Sequence, residues 1–161
     1  LATLEGQEKA KEMRVEAPPT IILREKGSDR VNLRYRGIPA GYEFASLLED
    51  IEMIGRDGHG LPEEMVKFLK ALPEEVVLQV FVTPTCPYCP QAVRTAHRFA
   101  YASDKVFGEM VEANEFPALS ERYHIHGVPD TIVNHGKTRI LGAQPVAAFL
   151  EAIKKAVGVK A

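Results

Sequence analysis

The sequence has no tryptophan and two cysteines, and it lacks long runs of one charge or of apolar residues. Two cysteines are too few for a disulfide framework, or for a zinc site built from cysteine alone. The net charge of −2 comes without a basic block, so nucleic acid is not an indicated partner. No apolar run approaches the roughly 20 residues that span a bilayer, so we expect no membrane partner.

What the chain does contain is typical of an ordinary globular protein. Of its 161 residues, 45% are apolar and 26% are charged, which suits one large domain or two small ones. Residues 1–5 do not have the pattern of a secretory signal peptide. Two cysteines without a disulfide framework are typical of a reducing compartment, so we expect a cytoplasmic protein. The chain begins with leucine rather than methionine, which is consistent with processing or truncation upstream.

Both cysteines lie in one stretch, on which the functional prediction rests. Residues 76–82 form an apolar, β-branched run that is typical of a buried strand, and a helical pattern follows the cysteines. We expect Cys86 at or near the N-cap of this helix, with Pro87 at its first position and Cys89 three residues on, over the same face. Pro90 would then lie at the fourth helical position, where it should remove one hydrogen bond and kink the helix.

This arrangement suits thiol–disulfide exchange. The unpaired N–H groups and the positive end of the helix dipole would stabilise a thiolate on Cys86, and such sites lower a cysteine pKa from about 8.5 to roughly 3.5–7.5. We expect Cys86, nearer the surface, to attack a substrate disulfide, and Cys89, beneath it, to resolve the mixed disulfide. Tyr88 holds the two sulfurs apart without adding charge. The alternatives are a structural disulfide, which rarely lies between a buried strand and a helix start, and half of a zinc site.

The rest of the chain has the periodicities of alternating helices and strands. From Val76 onward the predicted order is β-α-β-α-β-β-α, and a hairpin and three helices are predicted before it. The predicted helices are residues 5–13, 43–54, one beginning at Pro62, 87–102, 115–123 and 146–157, and the predicted strands are residues 20–23, 31–35, 76–82, 106–113, 130–133 and 138–141.

The sequence Cys-Pro-Tyr-Cys at residues 86–89, with Val128 and Pro129 before the third of these later strands, resembles the thioredoxin superfamily. The resemblance implies an α/β thioredoxin fold, in which a central mixed sheet is flanked by helices. It also implies a cis peptide bond before Pro129, which would lie against the dithiol. The exposed backbone of Val128 could then pair with an extended substrate segment. We therefore expect Pro87, Tyr88, Val128 and Pro129 to bind substrate; an edge-strand proline is the alternative for Pro129.

The chain also resembles itself. Residues 17–22 align with residues 128–133, which places Pro18 opposite Pro129, and a turn, a strand, a glycine and a helix follow in both copies. The first copy lacks an opening strand, a dithiol, a helix and a second strand. We therefore predict a partial thioredoxin-like unit at residues 1–58, a connecting helix and linker at 59–75, and a complete unit with the dithiol at 76–161.

The tandem arrangement is similar to the protein disulfide oxidoreductases of hyperthermophiles, which are glutaredoxin-like and carry two thioredoxin-fold units. Residues 34–44 resemble the end of their first unit, and residues 81–90 resemble the active site of their second. The similarity implies reduction, oxidation or isomerisation of protein disulfides, with the Cys86–Cys89 disulfide as the redox group and no other cofactor. It also implies a second dithiol upstream, which this sequence does not contain, and a thioredoxin-reductase-like flavoprotein as electron donor.

Some positions depart from better-known relatives. Thioredoxins carry a buried aspartate six residues before the first cysteine, and Val80 occupies that position here. Glu109 and Glu112 are candidates for the missing acid, but we expect both to be solvent-facing charges of their strand. In small glutaredoxins a glycine-rich segment binds the carboxylate of glutathione; here residues 141–145 retain one of its glycines. His97, on the helix that follows the cysteines, is expected to be partly exposed.

The main hypothesis is a thiol–disulfide oxidoreductase that acts on protein disulfides. A glutathione-dependent glutaredoxin is one alternative. A binding module with a vestigial dithiol is a second, and a metal carrier that uses the two cysteines is a third. A four-ligand site that adds His124 and His126 would require the cysteines to swing toward them, so we predict no metal site.

Overall fold

The computed structural model describes residues 3–159. It contains a six-stranded sheet with helices on both faces. A short 3-10 turn, Asn134–Gly136, joins the last two strands. The helices are α1 (Leu4–Glu12), α2 (Glu43–Gly55), α3 (Glu63–Lys70), α4 (Cys89–Ala102), α5 (Pro117–Arg122) and α6 (Val146–Ala156), and the strands are β1 (Thr20–Ile22), β2 (Leu33–Arg36), β3 (Val76–Val82), β4 (Val106–Glu112), β5 (Asp130–Val133) and β6 (Thr138–Leu141).

The strands lie in the order β1-β2-β4-β3-β5-β6. The central strands β2, β4 and β3 are parallel, whereas β1, β5 and β6 pair with their neighbours antiparallel. Almost every residue of β3 and β4 is buried, which explains why the sequence of β3 is a continuous apolar run rather than an alternating one. The predicted order β-α-β-α-β-β-α from Val76 onward is confirmed, as is the mixed central sheet of a thioredoxin fold.

Each face of the sheet has its own apolar core. The larger core lies between one face and the helices α2, α3, α4 and α6, which contribute Met53, Leu69, Phe99 and Phe149 among others. The smaller core, on the opposite face, is formed around Phe81 with side chains of the α5 region. The active-site helix α4 therefore packs on the larger core and is covered from both sides by neighbouring helices.

The topology brings six chain segments to one edge of the sheet. The parallel strands β2, β3 and β4 end there, β6 ends there, and the antiparallel strands β1 and β5 begin there. The segment after β3 carries both cysteines, and the segment before β5 carries Pro129. This edge is where the predicted site must form.

The internal repeat is real in the structure, but its predicted register is wrong by one residue. Peptide bonds before Pro19 and Pro129 are cis, so Pro19, and not Pro18, corresponds to Pro129. The carbonyl of Pro19 accepts from Gly37 N–H at 2.9 Å, and that of Pro129 accepts from Gly142 N–H at 2.9 Å. The two adjacent prolines made the sequence alignment ambiguous, and the hydrogen bonds resolve it.

The predicted division at residues 58/59 and 75/76 stays a prediction. The structure places the strands before and after these points in one sheet, because Leu33–Arg36 pairs in parallel with β4. The N-terminal segment is thus joined to the dithiol-bearing segment by a continuous strand ladder. Among residues 3–159, no helix is long and apolar enough to cross a membrane.

Candidate functional site

Cys86 and Cys89 form a disulfide at the edge of the sheet where β3 ends, with their Cα atoms 5.5 Å apart. Cys86 is 9% exposed and Cys89 is fully buried, so the outer sulfur is the one that a substrate can approach. This order of burial agrees with the predicted roles of nucleophile for Cys86 and resolving thiol for Cys89. The structure holds the pair in its oxidised state.

The helix begins later than predicted. Its first residue is Cys89, and Tyr88 is at the N-cap position, so the expectation of Cys86 at the N-cap and Pro87 at the first helical position is wrong. Cys86 lies in the turn that leads into the helix, where its own N–H donates to Thr83 O at 3.2 Å. Because Pro90 has no N–H, the helical bond to the carbonyl of Cys86 cannot form, and regular helix starts three residues beyond it.

The kink expected at Pro90 is also wrong. Pro90 is the second residue of α4, which runs on to Ala102. The first N–H groups of a helix have no intrahelical partner, so a proline there removes no hydrogen bond. Those free N–H groups and the dipole end still point toward the cysteines, which is the physical basis for a stabilised thiolate.

Pro129 is buried and is preceded by a cis peptide bond, as predicted. Phe81 of β3 pairs with Asp130, so Pro129 lies beside the end of the strand that leads to Cys86. Within residues 3–159, neither the N–H nor the carbonyl of Val128 has a hydrogen-bond partner. An extended substrate segment could take up both groups as a sheet edge does.

A groove of about 490 Å³ lies beside this proline loop. Its walls include Val128, Pro129, Arg139 and Leu141. The guanidinium of Arg139 is held by the carboxylate of Asp130, so this wall keeps a fixed position. The remaining predicted binding residues, Pro87 and Tyr88, are exposed beside the disulfide.

Sequence reasoning missed Glu43. Its side chain is 1% exposed, and among the described residues neither carboxylate oxygen has a hydrogen-bond partner. Burial raises the pKa of Glu43 to about 7, against a smaller lowering effect of the neighbouring Ser46 hydroxyl. At the first turn of α2 it has the sequence pattern of an ordinary solvated glutamate, so the sequence gives no signal of its burial.

The loop before Glu43 contacts the active-site loop directly. Tyr42 N–H donates to Pro84 O at 3.1 Å, two residues before Cys86. Gly41 has φ +60°, and a Cβ there would lie 2.2 Å from Pro84 O, so only glycine permits this approach. The N-terminal segment therefore supports the active-site loop through the residues that precede Glu43.

The two glutamates considered for the acid are not solvent-facing, and that expectation is wrong. Glu109 is buried, pairs with Arg34 and Arg36, and accepts from Gln79 Nε2 at 2.9 Å. Glu112 is also buried and accepts from Glu115 N–H at 2.6 Å. Both carboxylates are occupied by these partners.

His97 is fully buried, so the expectation of partial exposure is wrong as well. Its Nδ1 lies 2.5 Å from Asp50, and its Nε2 lies 3.0 Å from the carbonyl of Arg34. Asp50 also accepts from Tyr35 and Arg94. This cluster ties α2 and β2 to α4 behind the active site.

His124 and His126 are exposed near the proline loop and line the groove beside it. Residues 3–159 contain no group of three or more histidine, cysteine, aspartate or glutamate side chains that could hold a metal ion. The two histidines therefore belong to the surface around the cis-proline.

The comparisons with known proteins agree with this geometry. A model described as "Thioredoxin domain" matches residues 76–155. A thioredoxin of Methanocaldococcus jannaschii is 38% identical over 82 residues, which cover 50% of this chain and 95% of that protein. The solved structure of a protein disulfide oxidoreductase from Aeropyrum pernix is 32% identical with a TM-score of 0.86, covering 98% of this chain and 68% of that one.

A third relative matches a longer part of this chain. An alkyl hydroperoxide reductase component of Pseudomonas putida is 27% identical over 116 residues, which cover 72% of this chain. This chain spans only 22% of that relative's length. The strand order, the cis-proline and the dithiol agree with the first two similarities, and the chain therefore belongs to the thioredoxin family.

Proposed function

We propose that this protein is an enzyme that exchanges electrons with the disulfides of other proteins through the Cys86–Cys89 pair. The observation that carries the proposal is the asymmetry of the pair: a reachable outer sulfur, a buried inner sulfur, and an unpaired backbone at Val128 on the opposite side of the site. A structural disulfide needs none of these features. The dithiol is the only redox group that the reaction requires.

The reduction proceeds in two exchanges that balance. The thiolate of Cys86 attacks one sulfur of the substrate disulfide, forming a mixed disulfide and releasing the other substrate sulfur as a thiolate. The thiolate of Cys89 then attacks Sγ of Cys86, which closes the intramolecular disulfide and releases the second substrate thiol. The substrate gains two electrons and the pair loses two. A dithiol reductant restores the reduced state, and the reverse sequence oxidises a substrate dithiol.

The second exchange needs a base, because Cys89 is buried and its thiol must lose a proton. We assign this role to Glu43, because its buried carboxyl follows Tyr42, whose N–H donates to Pro84 O in the segment before Cys86, and because burial raises its pKa to about 7. A group with that pKa can accept a proton and return it near neutral pH. Val80 stands where thioredoxins place their acid, so that position supplies no base here.

The electron donor in the cell is proposed to be a flavoprotein reductase of the thioredoxin-reductase type. The similarity to an alkyl hydroperoxide reductase component supports a reductase-linked context. A supply of reducing equivalents also favours a cytoplasmic location, because the pair must be kept reduced to act as a reductase.

Insulin reduction with dithiothreitol as electron donor tests the proposal. The wild-type protein should precipitate insulin chains faster than dithiothreitol alone. Cys86→Ser should reduce the rate to that of dithiothreitol alone, because the attacking sulfur is gone. Cys89→Ser should trap insulin on Cys86 as a mixed disulfide, which mass spectrometry detects.

Thr85→Ser, at an exposed neighbouring position, is the control and should keep the wild-type rate. Turnover that survives Cys86→Ser would refute the proposed nucleophile. A wild-type protein no faster than dithiothreitol would refute the function itself.

A further inference from the structure

The loop between β2 and α2 presents exposed apolar side chains and contacts the segment that leads into Cys86. Ile38 is 60% exposed and Tyr42 is 54% exposed, although both belong to a short ordered connection. Large apolar side chains exposed together at the edge of a functional site are typical of binding surfaces. We call Ile38 and Tyr42 the β2–α2 pair.

The backbone that carries this pair is held at both ends. Ile38 N–H donates to Glu115 Oε2 at 2.7 Å, and Tyr42 N–H donates to Pro84 O at 3.1 Å. A Cβ on Gly37 would lie 2.6 Å from Glu112, and one on Gly41 would lie 2.2 Å from Pro84, so the loop is closely packed at two points. The exposed side chains are therefore presented from a fixed backbone, which lowers the entropy lost on binding.

The position of the loop decides what can contact it. The Tyr42–Pro84 hydrogen bond joins it to the segment that leads into Cys86, while the cis-proline loop lies on the β5 side of that segment. A small disulfide that reaches Cys86 is too short to contact the β2–α2 loop or the cis-proline loop. A polypeptide that reaches Cys86 must extend beyond its cystine, across one flank or both.

We propose that the β2–α2 pair binds apolar side chains that flank the cystine of a polypeptide substrate, and so favours unfolded or loosened proteins over small disulfides. The inference rests on the proposed function and names its substrate class. Residues next to cystines are commonly buried in folded proteins and become available when the chain opens. The pair and the Val128 backbone would then hold the two sides of one extended segment.

The test compares two substrates with one electron donor, dithiothreitol. The double variant Ile38→Ser/Tyr42→Ser keeps both backbone hydrogen bonds and removes the apolar surface. For insulin we expect KM to rise and kcat/KM to fall about tenfold, the effect of losing one or two partly buried apolar contacts. For bis(2-hydroxyethyl) disulfide we expect kcat/KM to stay within about twofold of wild type, since that substrate spans neither flank.

Leu48→Ser is the matched control, because Leu48 is 52% exposed on α2 and lies outside the loop. It should leave both activities unchanged, and thermal melting should confirm that all variants fold. Equal losses on both substrates would mean that the loop positions the disulfide and does not bind substrate, which overturns the inference. No loss on insulin, or an equal loss in Leu48→Ser, also overturns it. If the wild type reduces neither substrate, the proposed function fails instead.

Discussion

Glu43 is an acid that the fold keeps close to its point of half-ionisation at neutral pH. Burial disfavours its carboxylate and raises its pKa from an ordinary 4.5 to about 7, against the smaller lowering effect of the Ser46 hydroxyl. Ionising a buried carboxyl group costs stability. The proposed transfer of the Cys89 proton would explain why an acid is kept at this position.

Replacing this acid should change stability and rate in opposite directions. Below pH about 4.5 Glu43 is neutral in the folded and unfolded protein alike, so its cost is absent there. Between pH about 4.5 and about 7 the unfolded chain ionises Glu43 while the folded protein keeps it protonated, so stability falls across this range and the full cost is present above pH about 7. At pH 8.5, Glu43→Gln should therefore have a free energy of unfolding up to about 3 kcal/mol higher than wild type, measured by urea denaturation. At pH 4 the two proteins should unfold at the same urea concentration.

The same variant should slow insulin reduction, and the step near pH 7 should disappear from its pH–rate profile. Glu64→Gln, an exposed glutamate at the start of α3, serves as the control for charge removal. If Glu43→Gln kept the wild-type pH–rate profile, another group would have to accept the proton.

At the residue scale, the sequence predicts those functional residues whose role depends on their neighbours in the chain. Cys86, Cys89 and Pro129 were identifiable because a spacing and a neighbouring strand are enough to specify them. Glu43 and His97 were not, because their burial depends on segments far away in the chain. His97 contacts Asp50 and the carbonyl of Arg34, neither of which its own helix reveals.

At the scale of elements, a buried carboxylate joins α2 to α4. Asp50 accepts hydrogen bonds from Tyr35 and Arg94 and lies 2.5 Å from His97 Nδ1, all in a fully buried position. Arg94 also pairs with Glu49, which is exposed. Arg94 thus forms one ion pair with the buried Asp50 and another with the exposed Glu49.

Because the two acids differ in burial, we expect their neutralisation to lower the free energy of unfolding by different amounts. Asp50→Asn should lower the free energy of unfolding by about 3–5 kcal/mol, because it leaves a partly buried guanidinium without its counter-charge. Glu49→Gln should cost at most about 1 kcal/mol, since the pair it breaks is exposed. Urea unfolding of both variants measures the difference. Similar costs would mean that solvent reaches Asp50 and that the cluster does not join the two helices.

Element order was predictable from periodicity, whereas the start of α4 was not. The prediction placed the helix start at Pro87 because proline favours the first helical position. Two prolines compete for that role here, and Pro90 determines the result because it lacks the N–H that would bond to Cys86. The start of α4 therefore follows from which backbone N–H groups are available, and not from the preference of proline for the first helical position.

At the scale of the whole molecule, one sheet unites the two copies of the repeat. Strand β2 covers the edge of β4, and its Arg34 and Arg36 pair with the buried Glu109 of that strand. The side chain of Asn32 donates to three carbonyls, which lie in the last turn of α4, just after α4 and at the start of β4. The sequence predicted both copies but gave no sign that the first supplies partners for polar groups buried in the second.

Shortening the chain to residues 59–161 should therefore destabilise the remainder, although it retains the whole predicted unit at 76–161. The loss of β2 leaves Glu109 without its cationic partners and exposes the edge of β4, which invites pairing between molecules. We expect a lower melting temperature than that of the full chain and association in light scattering. A chain that begins at Met13 is the control, because α1 has no buried residue and its loss should have little effect. If residues 59–161 melted with the full chain and stayed monomeric, the second unit would be independent, and the support of the active-site loop by Tyr42 would be dispensable for folding.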